Sequence, residues 1–257
     1  MERTESTQEV LDVFETGLLV REMPETHKIG KRRIGFFTGD EHHQVPLEEG
    51  IQYTKNYRKS SQRFGPSSAY FGREIVEKIL DQAKCVGIRI YYAKQASGTP
   101  TLVLTGAETN NADQFRGILG IEHQSFASWV PSPNELNSDS WKKTAPANGA
   151  KEIFTGNENQ FVTLAEGAQL IRNYQDWIES GDIKGAFFGS GIFRKILAQD
   201  ACVGIHMYHA MHDDGGHSFV LSGVDAYGFD LLTGVIAQRA IQCPWVCDFM
   251  SPFNIKR

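Results

Sequence analysis

KILDQAKCVGIRIYYA, from Lys78 to Ala93, returns as KILAQDACVGIHMYHA, from Lys195 to Ala210, 117 residues further on. Held at that one offset, FTGDEHHQVPLEEGIQ from Phe37 aligns with FTGNENQFVTLAEGAQ from Phe154, and LVLTG from Leu102 aligns with FVLSG from Phe219. Of the 84 positions from 37 to 120, 31 are identical without a gap. Chance pairing at ordinary composition gives roughly 6%. An internal repeat sets the architecture before any local pattern does, and this one predicts a tandem duplication.

The repeat divides the chain. It predicts units over 35–131 and 152–247, and a linker over 132–151 rich in Pro, Asn, Ser and Ala. A helical arm over 1–34 precedes the first unit, with Val10, Leu11, Phe14, Leu18 and Leu19 at helical spacing. A tail over 248–257 follows the second.

Each unit reads in the same internal order. A helix starts near Pro46 or Thr163, both suited to a first turn. A second helix begins near Phe71 or Phe188 and stops before Cys85 or Cys202. CVGIRIYYA and CVGIHMYHA then read as strands. In the first, Val86, Ile88 and Ile90 alternate with Gly87, Arg89 and Tyr91. The Gly-bearing turns ASGTP and HDDGG lead into a partner strand, completing a hairpin. Helix, helix, strand, strand, doubled, predicts an α+β protein with two similar halves about a pseudo-twofold axis, like an isologous dimer fused into one chain.

Composition narrows the function. The chain has 257 residues, 40% of them hydrophobic and 22% charged, with a formal net charge of -5. These are values for a soluble globular protein, and they argue against nucleic acid as a partner, because phosphate binding needs clustered Lys and Arg. No stretch approaches the roughly 20 apolar residues of a membrane span, so a membrane is not expected either. MERTESTQEV lacks the apolar core of a secretory signal. Four cysteines in a chain this long do not read as a disulfide framework, which points to a cytoplasmic location.

Apolar and glycine positions shared by both units need only core and turn roles. The shared polar positions ask for more. Glu49, Gln52 and Asn56 recur as Glu166, Gln169 and Asn173. Their spacings of three and four put each trio on one helical stripe. A solvated stripe has little reason to keep Gln and Asn in both units, so these six are the candidate partner or assembly surface. Lys78 with Gln82, and Lys195 with Gln199, read as side chains laid along apolar surface with their polar ends at its edge. Arg89 and Tyr91, with His206 and Tyr208, lie on the strand face opposite Val and Ile. They are the candidate ligand cleft between the halves. Arg89 and His206 occupy equivalent positions yet differ, as a duplicated site grown asymmetric would.

Other features read as structure. Cys85 and Cys202 suit buried thiols, and the spacing of Cys243 and Cys247 is not that of a zinc knuckle or a redox pair. Strand alternation sends His206 and His209 to opposite faces, so the histidines of HMYHAMHDDGGH cannot all converge on a metal. No catalytic residue, metal or cofactor is expected.

The phrases AYFG, KILDQAKCVGIRIYYA and GVDAYGFDLL resemble uncharacterised bacterial proteins of the Bacteroidetes whose domain carries an ILxQxxCVGIRxYY core. The resemblance covers most of each unit and implies that the unit is a domain in its own right. It implies no activity and no residue roles. The expectation is a non-enzymatic structural or interaction protein that binds itself or another protein through repeated polar surfaces. The alternative is a small-molecule-binding protein or enzyme with its pocket between the halves.

Overall fold

The computed structural model describes residues 37–59, 68–122, 154–178, 182–243, 248 and 251–254. The expected arm over 1–34, all of the linker over 132–151 and half of the tail over 248–257 lie outside these residues. In chain order the elements are β1 (Gln44–Val45), α1 (Leu47–Lys59), β2 (Ser68–Gly72), α2 (Arg73–Leu80), β3 (Cys85–Lys94), β4 (Pro100–Glu108), β5 (Leu119–Ile121), α3 (Leu164–Gln175), β6 (Gly185–Gly189), α4 (Ser190–Leu197), β7 (Gly204–Met211), β8 (His217–Val224), β9 (Ile236–Ala237) and β10 (Ile241–Cys243). The protein is α+β: four described helices and two five-stranded antiparallel sheets. Among the described residues no helix is long and apolar enough to cross a membrane.

The strand order is β1-β9-β8-β7-β2 in one sheet and β10-β6-β3-β4-β5 in the other. Each sheet therefore takes strands from both ends of the chain. Strand β2 runs antiparallel to β7, from Ser68 opposite Tyr208 to Gly72 opposite Gly204. Strand β6 runs antiparallel to β3, with Gly185 opposite Tyr91 and Gly189 opposite Gly87. The helices cross over in the same way: α1 packs on β7 and β8, and α3 packs on β3 and β4.

Strands β2 and β6 correct the reading of the sequence, which put Phe71 and Phe188 at the start of a helix. Both residues lie in strands, and the helices begin at Arg73 and Ser190. SAYFG and GAFFG are buried at every position, so neither shows the alternation that marks a strand with one wet face.

The largest core lies between the sheets. Ile88, Ile90, Tyr92, Leu102 and Leu104 of one sheet meet Ile205, Met207, Phe219 and Leu221 of the other, with the apolar stripes of α2 and α4 filling the same cluster. Among the smaller cores, Tyr91, Ala93 and Val103 lie under Ala168 and Ile171 of α3, and Tyr208, Ala210 and Val220 lie beside Leu47 and Tyr53 of α1. Glycine is required where β6 runs beside β3 and where β2 runs beside β7. A Cβ on Gly87 would lie 2.5 Å from the Phe187 ring, and one on Gly204 would lie 2.5 Å from the Tyr70 ring. Neither ring could then lie across its neighbouring strand.

Candidate functional site

Strand alternation decides where the four cleft candidates go. Ile88 and Ile90 point into the core between the sheets, so Arg89 and Tyr91 point out of it. Both are fully buried, beneath the turn that follows β4. Arg89 donates through Nη1 to Asp113 Oδ1 and through Nη2 to Asn111 Oδ1, and Tyr91 donates its hydroxyl to Asp113 Oδ2 at 2.6 Å. The Phe37 and Phe187 rings stack at 3.7 Å, and the Arg89 guanidinium lies 5.9 Å from the Phe37 centroid. Burial is the largest single influence and pulls the guanidinium toward neutrality, but Asp113 and Tyr91 together outweigh it and leave the Arg89 pKa above its ordinary value.

His206 and Tyr208 make the corresponding arrangement on the other sheet. The His206 Nδ1 lies 2.9 Å from Asp230 Oδ1, Ser222 donates to the same oxygen at 2.7 Å, and Tyr208 donates to Oδ2. Tyr70 and Phe154 stack at 3.9 Å, and the His206 ring stands perpendicular to both at 5.9 and 5.8 Å. Burial raises the Asp230 carboxyl, yet His206 and the two hydroxyls outweigh it, so its pKa falls below the usual carboxylate value. Among the described residues, His206 Nε2 finds no hydrogen-bond partner.

The structure thus joins Arg89 to Tyr91 and His206 to Tyr208 but does not bring the four into one cleft. The space between the sheets is filled by apolar side chains, and each pair looks away from it. Asp113 and Asp230, which organise the two clusters, were missed by the sequence reading. Their signal was present, since both are aspartate at the shared offset of 117.

The six helix candidates are engaged largely within the chain. Gln52 donates to Asn56 at 2.9 Å, and Asn56 donates to the Met211 carbonyl at 3.2 Å and to Asp213 at 2.8 Å. Gln169 donates to Asn173 at 2.8 Å, and Asn173 donates to the Lys94 carbonyl at 2.9 Å. Each asparagine ties its helix to the end of the strand beneath it. Glu49 accepts from Arg239 at 3.3 Å, and the Glu166 backbone N–H is capped by Thr163 at 3.2 Å. Gln52, Gln169 and Glu166 remain exposed.

Other shared polar residues are joints. Gln82 donates to Ile79 O and accepts from Ile118 N–H, and Gln199 does the same with Ile196 O and Val235 N–H. His43 and Gln160 face the same task with different chemistry: Gly189 N–H donates to His43 Nε2 at 3.0 Å, and Gly72 N–H donates to Gln160 Oε1 at 2.6 Å. His43 Nδ1 lies 3.0 Å from the Arg239 carbonyl, so the ring carries its proton on Nδ1 and is neutral. His209 points into the core and stacks on Tyr92 at 5.6 Å. Cys85 and Cys202 are free thiols, both raised by burial, and Cys243 is disulfide-bonded. Among the described residues no three His, Cys, Asp or Glu side chains gather as a metal site would need. Comparison with known protein families, curated proteins and solved structures finds no match.

Proposed function

We propose that the chain is a tandem duplication folded as an exchanged pseudo-dimer, and that it is a non-enzymatic structural or interaction protein that assembles with itself or docks a protein partner. Residues 117 apart making the same contacts support this reading: Asn56 on Met211 and Asn173 on Lys94, Tyr91 on Asp113 and Tyr208 on Asp230, Gln82 on Ile118 and Gln199 on Val235. Each half supplies a helix and two strands to the other's sheet.

One observation carries the functional reading. The Arg89 guanidinium, the most chemically capable of the cleft candidates, is wholly buried and held by Asp113 and Asn111. A buried, neutralised ion pair specifies structure rather than turning over a substrate. The repeated amides Gln52 and Gln169 stay at the surface in equivalent places, which suits symmetric docking. Mass measured in solution across a concentration series tests this. Association that weakens on Gln52→Ala plus Gln169→Ala supports it, whereas a strict monomer that captures no protein partner overturns it.

A second reading rests on His206. Its buried Nε2 and its divergence from Arg89 favour a small-molecule site on that sheet. A thermal-shift screen with metabolites and nucleotides tests it: stabilisation lost in His206→Phe supports the site, and no stabilisation by any compound removes it.

A further inference from the structure

Phe253 is fully buried, yet it belongs to neither sheet. Its ring meets Tyr91 edge-on at 5.3 Å and shares a cluster with Val103, Ala168 and Ile171. The chain around it is held by polar contacts. Gln175 donates to the Phe253 carbonyl at 2.5 Å, Asn254 Nδ2 donates to the Tyr91 hydroxyl at 2.9 Å, and the Asp113 N–H donates to Asp248 Oδ2 at 2.9 Å. Asn254 Nδ2 also reaches the Asp248 carbonyl, and turn bonds from Ser251 to Asp248 and from Asn254 to Ser251 hold the segment's own shape.

The walls of this slot come from elements that pair without the segment. Tyr91 and Val103 face each other across β3 and β4, and Ala168, Ile171 and Gln175 lie along α3, which packs on those strands. Phe253 and Asn254 therefore fill the slot as a ligand does, with one aromatic anchor, one amide reading a hydroxyl, and a main-chain carbonyl received by a side-chain amide.

We propose that the slot between β3 and α3 is a peptide-binding site for an aromatic residue followed by asparagine, filled in cis by Phe253–Asn254 and open to the same segment of a second copy of this chain. The choice of a second copy rests on the self-assembly reading above. Because the resident segment is tethered, it competes at an effective concentration on the order of millimolar, so exchange between copies follows local release of the segment.

The test uses the full chain carrying Phe253→Ala and Asn254→Ala, titrated with a synthetic peptide of residues 248–254. Saturable one-to-one binding is expected, weaker by at least about tenfold in the unsubstituted chain because the cis segment competes, and absent for a peptide with alanine at the Phe253 position. A folded variant that ignores the peptide at millimolar concentration overturns the proposal. Amide exchange in the unsubstituted chain checks it without a substitution. Phe253 and Asn254 amides are expected to exchange at least about tenfold faster than those of Ile90 and Tyr92, and equal protection overturns the release step. If the variant binds the peptide while the unsubstituted chain stays monomeric, the slot stands and the self-assembly reading falls. If the chain self-associates and the double variant does so equally well, self-assembly stands and the use of the slot between copies falls.

Discussion

Asn173 on α3 donates its side-chain amide to the main-chain carbonyl of Lys94, at the end of β3, over 2.9 Å. The bond joins a helix from the second part of the chain to a strand from the first. Asn56 does the same for Met211 on the other sheet. A half-buried hydrogen bond of this kind contributes about 1 kcal/mol. Asn173→Ala and Asn56→Ala are each expected to lower stability in urea by about that amount. The two bonds share no partner, so the double variant should lose roughly the sum.

The Arg89–Asp113 pair predicts a larger and less symmetric effect. Arg89→Met leaves the Asp113 carboxylate buried without its cation and is expected to cost about 3 to 5 kcal/mol. Replacing both, Arg89→Met with Asp113→Leu, removes the stranded charge and should recover more than half of that loss. Denaturant unfolding of the four proteins in the cycle measures it.

His43, His209 and His217 all have pKa values lowered by burial, His209 to about 3. The unfolded chain then binds more protons than the folded one below about pH 6.5. Their contribution to stability is full above that pH and drains away as pH falls through the window below it. Each unit of depression corresponds to about 1.4 kcal/mol, so His209 alone is expected to cost about 4 kcal/mol by pH 3. His209→Phe should flatten the acid side of a stability–pH profile. His43→Gln should fold and flatten it too, since Gln160 already accepts the equivalent Gly72 N–H.

Glu122 works in the opposite sense. Burial raises its carboxyl to about 8, so the folded chain keeps a proton that the unfolded chain releases above about pH 4.5. Stability from this group is present at low pH and lost as pH rises through 8. Glu122→Gln removes the penalty. It is expected to stabilise the protein by as much as about 5 kcal/mol at pH 9 and by little at pH 4, read from thermal unfolding in matched buffers.

How far these features are legible in the sequence depends on how local they are. The hairpins announce themselves in the alternation of Ile88 and Ile90 with Arg89 and Tyr91. The first-turn residues Pro46 and Thr163 mark the helix starts to within a residue. Strand β2 stays hidden because SAYFG is buried at every position, which leaves no alternation to read, and its partner Met207 is far away in the chain. The same distance hides the site. Arg89 is visible as a charge on a strand, but only the fold shows that it faces away from the core between the sheets. Asp113 sits in a turn where an aspartate needs no explanation, until its recurrence as Asp230 is set beside Tyr91 and Tyr208.

The pairing of β2 with β7 also bears on how the chain is made. Ser68 leaves the ribosome 140 residues before Tyr208, the residue it must face. At about 5 to 20 residues per second, that strand waits roughly 7 to 28 s for its neighbour, its apolar residues bare. The first half cannot finish folding during synthesis on its own. In the cell, β2 gives a chaperone that long to bind, and leaves two nascent copies on one message exposed to pairing with each other.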